Sequence, residues 1–123
     1  MALITLKKRS DFLYVGEGRK WVAPSFVLKA RTKYQSEPGP QSQILTSDLP
    51  HFGFTASRRI GNAVKRNRAR RRLKEALTLL TPHSARQGYD YVLIARQGVL
   101  NCDFKDLIRD MQLAFKRVHG HNK

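Results

Sequence analysis

Hydrophobic positions recur along this chain with two different periods, and each change of period marks an element. Leu6 to Val15 reads as a short amphipathic helix. Phe12 and Val15 make its apolar face, Ser10 stands where an N-cap would, and Gly16 and Gly18 end it. From Arg19 to Thr32 the pattern becomes alternating, as one strand or two. Lys20-Trp-Val-Ala is a candidate first strand, Pro24 interrupts it for want of a backbone donor, and Ser25 to Thr32 follows. There Phe26, Leu28 and Ala30 share one face, and Val27, Lys29 and Arg31 the other. Residues 34–48 hold Glu37-Pro-Gly-Pro and little periodicity, so a mobile loop is expected. Phe52 to Ala56 is a short aromatic strand, broken by Ser57 to Gly61.

From Asn62, a residue able to cap a helix, the spacing turns helical. Ala69, Leu73, Ala76, Leu77 and Leu80 fall on one stripe, and Thr81-Pro-His-Ser ends the helix. Asp90 to Arg96 is nearly all apolar, as expected for a strand covered on both faces beside a crossover helix. Gln97-Gly98 turns the chain. Asn101 or Asp103 then caps a last helix with Phe104, Leu107, Ile108, Met111, Phe115 and Val118 in register. Residues 120–123 form a tail. The order α-β-β-β-α-β-α in 123 residues predicts one α/β domain spanning residues 1–123, with helices packed on a central mixed sheet of about four strands.

Charge changes the picture at the central helix. The chain carries 24 Lys and Arg against 9 Asp and Glu, a formal net charge of +15. Nine of the basic residues fall between Arg58 and Lys74, and no acid occurs from Leu49 to Lys74. A merely solvated helix mixes signs, because like charges four apart repel. This segment accepts the repulsion, which points to a phosphate-backbone partner. Arg66 and Arg70 stand at the border of the apolar stripe, where the first turns of the helix would line a groove at the edge of the core.

Other chemistry finds little support. His51, His83, His119 and His121 are expected in loops or the tail, without zinc spacing. Asp103, Asp106 and Asp110 recur on one helix, but the first two are better explained as acids favoured at a helix N-terminus. No phosphate loop and no hydrolase motif occurs, so no catalytic residue and no metal ligand is assigned. The single Cys102 excludes an intrachain disulfide and is expected as a packed thiol. No apolar run approaches the roughly 20 residues of a membrane span, and the N-terminal apolar stretch is too short for a signal peptide. A cytoplasmic location is expected, with no membrane or protein partner evident. The arginines are too dense and uniform for selective reading of DNA bases; shape and backbone recognition of RNA fits better.

At this point FGFTASRRIGNAVKRNRARRRLKEAL, with Arg66-Asn67-Arg68 at its centre, resembles the signature of the bacterial ribonuclease P protein family. LKKRSDF resembles that family's first helix, SFVLKA a sheet strand, and DYVLIAR the strand after the basic helix. The resemblance covers most of the chain outside residues 34–48 and the tail. It implies an α/β sandwich with a left-handed crossover through the basic helix. It also implies the protein subunit of a ribonucleoprotein endoribonuclease that removes the 5′ leader of precursor tRNA, with catalysis and most of the Mg2+ in the RNA component.

Carried onto this sequence, the resemblance makes Arg58, Arg59, Lys65, Arg66, Asn67, Arg68, Arg70, Arg71 and Arg72 contacts to that RNA. A leader cleft would involve Phe12, Val15, Val27 and Lys29, with Asn67 and Arg70 at its rim. Lys29 stands where an aromatic can occur in relatives, which favours phosphate over base contact in the leader. The alternatives are a structural RNA-binding protein of ribosomal type, which shares the charge and size but needs no leader cleft, and a protein-only nuclease, which lacks an acid/base or metal constellation here.

Overall fold

The computed structural model describes residues 4–32, 49–80 and 88–119. The loop expected at 34–48, the helix end at Thr81 to Ser84, His83, His121 and the tail lie outside them. The elements run β1 (Ile4–Thr5), α1 (Arg9–Gly16), β2 (Arg19–Val22), β3 (Phe26–Thr32), β4 (His51–Thr55), α2 (Ala63–Leu80), β5 (Tyr89–Ala95) and α3 (Phe104–His119). Short 3-10 turns at Arg58–Ile60 and Gln97–Leu100 lead into α2 and α3.

The sheet is mixed and has five strands, in the order β1-β4-β5-β3-β2. β2 and β3 form the antiparallel hairpin that Pro24 separates, with Trp21 opposite Leu28. β5 runs antiparallel to β3 and parallel to β4, so α2 is the crossover between two adjacent parallel strands. The fifth strand, β1, was not expected; it pairs parallel to β4 through only Ile4 and Thr5. Leu6 then donates its amide to the Phe52 carbonyl at 2.8 Å, outside any helix. The first helix accordingly begins at Arg9, not Leu6. Lys8 occupies its N-cap position without a side-chain bond, and Ser10, expected as the cap, lies inside the first turn.

The two faces of the sheet bury unequal cores. On one face Phe26, Leu28 and Ala30 meet the stripes of α2 and α3. All five predicted α2 residues are buried, as are Leu107, Met111, Phe115 and Val118 of α3, joined there by Ala114; Phe104 and Ile108 are partly covered. Tyr91 lies at the middle of this layer, stacked on Phe52 at 5.4 Å and edge-on to Phe115 at 5.0 Å. The other face carries Val92 and Ile94 beneath α1, where Val15, Leu6 and Phe12 close a smaller cluster. β5 is thus covered on both faces, which explains its unbroken apolar run.

The histidines depart from the loop-or-tail expectation. His51 opens β4, and its amide donates to Asp90 Oδ1 at 3.2 Å. His119 ends α3, with Nε2 2.7 Å from the Tyr91 hydroxyl and its ring edge-on to Tyr89 at 4.6 Å. Both are structural partners of the sheet rather than a frayed end.

Candidate nucleic-acid interface

The interface is built by how α2 starts. β4 ends at Thr55, and Ser57 Oγ accepts from the Arg59 amide at 3.3 Å to begin a 3-10 turn. Gly61 leaves that turn at φ +141°, a conformation that L side chains rarely adopt. Asn62 caps α2 as its side-chain chemistry predicts, with Oδ1 accepting from the Lys65 amide at 3.0 Å. The turn presents Arg58 and Arg59 as exposed residues just ahead of the helix.

The buried stripe then fixes where every α2 cation points. Lys65, Asn67, Arg68, Arg71 and Lys74 are exposed, while Arg66, Arg70 and Arg72 are half-buried along the flanks of the stripe. Arg66 is steadied by donating to the Gly61 carbonyl at 2.8 Å, and Arg70 donates to Asn67 Oδ1. Arg72 turns inward on the opposite flank and donates to the Cys102 carbonyl at 2.6 Å. Among the described residues, no arginine of α2 is in an ion pair; the carboxylates of Glu17 and Asp106 are met by Arg31 and Arg109 instead. The row is therefore uncompensated, as its sequence implied, and its potential faces solvent.

Beside that row runs an open groove of about 420 Å³. One wall is Arg70, Arg71 and Lys74 of α2; the other is Phe12 of α1 with Thr5 and Leu6. Its floor is Phe52, Gly53 and Phe54, at the edge of β4 that β1 leaves uncovered after Phe52. Cations thus line one side of an aromatic trough, an arrangement suited to a single strand whose phosphates meet guanidinium groups while bases lie on ring faces.

Of the residues expected in a leader cleft, Phe12 and Arg70 meet in this groove, and Asn67 holds Arg70 from the preceding turn. Val15 does not line it. It is wholly buried beneath α1 and can touch no ligand in this conformation. Val27 and Lys29 also stand apart, on β3, two strands from β4. The chain reading missed Lys74, Gly53 and Phe54. Lys74 was detectable, because it follows Arg70 by four residues and so shares its face. Gly53 and Phe54 gave no such signal, since a strand pattern does not show which edge stays open.

Gly53 has a specific part in this groove. A Cβ at that position would lie 2.3 Å from Phe12 Cε1, so the ring rests on bare backbone. Gly53→Ala is expected to push Phe12 away at a cost of about 1–3 kcal/mol, the usual range for overpacking. Thermal melting together with the Phe12 ring resonances checks this; an unmoved ring at full stability would contradict the seating.

Among the described residues, no group of three His, Cys, Asp or Glu lies close enough to hold a metal ion. Asp103, Asp106 and Asp110 do not gather into a site, and Asp106 is engaged by Arg109 at 2.7 Å. No described helix is long and apolar enough to cross a membrane.

The family model described as Ribonuclease P matches residues 2–119. The ribonuclease P protein component of Paramagnetospirillum magneticum is 43% identical over 119 residues, covering 96% of this chain and 84% of the relative. That of Ruegeria pomeroyi is 39% identical over 116 residues, covering 94% and 86%. Among solved structures, the Staphylococcus aureus RNase P protein superposes with a TM-score of 0.71 at 21% identity, over 96% of this chain and 97% of that one. The Thermotoga maritima protein gives 0.71 at 24% identity, over 94% and 98%. These two likenesses speak for the fold.

Proposed function

Because this chain belongs to the ribonuclease P protein family, we propose that its α2 row binds the catalytic RNA while the Phe12–Arg70 groove takes the 5′ leader of precursor tRNA. It is the protein subunit of the ribonuclease P holoenzyme, an endoribonuclease. The observation that carries the proposal is the pairing of an uncompensated arginine row with an open aromatic trough on one edge of the molecule.

Each side has its own task. Arg58, Arg59, Lys65, Arg66, Arg68 and Arg71 meet RNA phosphates, with Asn67 holding Arg70 in line. Such contacts give affinity without sequence preference, as suits an enzyme that handles many precursors. Phe12 offers a ring face to a leader base, and Arg70 and Lys74 neutralise the adjoining phosphates. Among the described residues no carboxylate or histidine cluster gathers for hydrolysis; in this reading Mg2+ and the chemical step lie in the RNA component. What this protein adds is position: it holds the leader beside the RNA and lowers the repulsion between two polyanions.

The test is reconstitution. Ribonuclease P RNA from the same source should process precursor tRNA at low Mg2+ faster with this chain than without it. RNA binding with no gain in processing would favour a structural RNA-binding role, and cleavage by the chain alone would favour a protein nuclease. Because the trough holds one aromatic wall and several cations, single-base variants of the leader should bind within about threefold of one another. A strong preference at one leader position would contradict that.

A further inference from the structure

The α2 arginines are not equivalent, and Arg72 is the exception. It lies on the flank of the buried stripe opposite Arg70, facing the start of α3. Its Nη2 donates to the Cys102 carbonyl at 2.6 Å and lies 3.9 Å from the Cys102 thiol. The guanidinium carbon sits 5.8 Å from the centre of the Phe104 ring, and Nε is buried among the described residues without a hydrogen-bond partner. Arg66 and Arg70 are also held, by the Gly61 carbonyl and Asn67 Oδ1, but among the described residues only Arg72 has a buried side-chain nitrogen without a partner. This one has already given up part of its solvation to the protein.

The acceptor is well fixed. The Cys102 amide donates to the Gly98 carbonyl at 3.0 Å, and Val99 of the same turn is fully buried. Gly98 in turn packs on the Pro24 carbonyl, where an added Cβ would come within 2.9 Å. Arg72 therefore ties α2 to a rigid corner that connects β5, the β2–β3 hairpin and α3. A planar guanidinium can reach a carbonyl with one edge and lie near a ring with its face; a lysine ammonium has no such plane.

We infer that Arg72 is a structural strut and not an RNA ligand: it does not bind RNA phosphate, but fastens α2 to the corner that leads into α3. The inference rests on α2 being the RNA-binding helix and refines which of its cations do the binding. A dense basic run in the sequence hides one structural strut among its ligands.

The experiment compares full-length Arg72→Ala, Arg72→Lys and Arg71→Ala. Each is melted, and each is titrated with ribonuclease P RNA over a range of salt concentrations. Each lost phosphate contact should lower the slope of log affinity against log salt by about 0.7 to 0.9. Arg71→Ala is expected to show that drop with an unchanged melting temperature. Arg72→Ala is expected to melt lower by about 4 °C or more while its slope stays within about 0.2 of the parent. Arg72→Lys, which keeps the charge, is expected to melt low as well and serves if the alanine variant folds poorly. An Arg72→Ala slope that falls as far as that of Arg71→Ala, with no loss of melting temperature, overturns the strut and leaves the RNA-binding helix standing. If no variant changes the slope, the assignment of α2 to RNA fails, and the melting temperatures alone decide the strut: a loss in both Arg72 variants supports it, and no loss overturns it.

Discussion

Replacing Arg68 and Arg71 together by alanine is expected to weaken binding of the ribonuclease P RNA by on the order of tenfold or more at physiological salt, and to reduce the salt slope by about 1.5. Both side chains are exposed, and neither is held by a carboxylate of the described chain. Their removal therefore leaves no buried group unpaired. Folding stability should stay within about 0.5 kcal/mol, as for most surface substitutions. It should even gain slightly from relief of the repulsion along a helix whose first three turns contain no acid. Equilibrium titrations at several salt concentrations, paired with a urea denaturation curve, give both quantities. A large loss of stability, or a slope equal to the parent's, would show that these arginines serve the fold instead.

Leu77→Ala is expected to do the reverse. Leu77 is wholly buried between α2 and the sheet, in the layer built on Tyr91 and Phe115. Truncating such a leucine costs about 2–5 kcal/mol, from lost transfer energy and the cavity left behind. Domains of this kind hold only about 5–15 kcal/mol in all, so the urea midpoint should fall steeply and the melting temperature by on the order of 10 °C. The number of phosphate contacts does not change, so the salt slope of the folded fraction should match the parent. Together the two variants separate what holds the helix from what the helix holds.

Much of this was legible in the chain. The stripe from Ala69 to Leu80 and the one from Leu107 to Val118 are set by helical period alone, and both are buried apart from Ile108, which is partly covered. Asn62 announced the start of α2 because few residues can satisfy free amides there. The unbroken apolar run of β5 foretold a strand covered on both faces, and a core cluster does lie on each side of it. What failed to show has physical reasons. Two residues have no period, so β1 was invisible, and with it the shift that moves Leu6 out of the first helix. Arg72 looks like its neighbours in sequence, because a guanidinium that bonds a carbonyl thirty residues away leaves no local mark. The groove was half legible: Phe12 and Arg70 were expected, but its floor depends on which strand edge stays open. Val15 was placed at its surface only by the family resemblance, yet its side chain is packed on Val92.

If the exposed arginine row of α2 lies on RNA phosphate in the holoenzyme, a probe tethered to it reaches the RNA backbone. The most direct measurement is tethered cleavage. A hydroxyl-radical source is attached at Arg68→Cys, or as a control at Val22→Cys on the far edge strand, each in a Cys102→Ser background. Assembled with ribonuclease P RNA, the Arg68→Cys probe should cut the RNA backbone at a few clustered positions, and the Val22→Cys probe should cut weakly or not at all. Cuts from Val22→Cys alone, or the same diffuse pattern from both, would contradict the account.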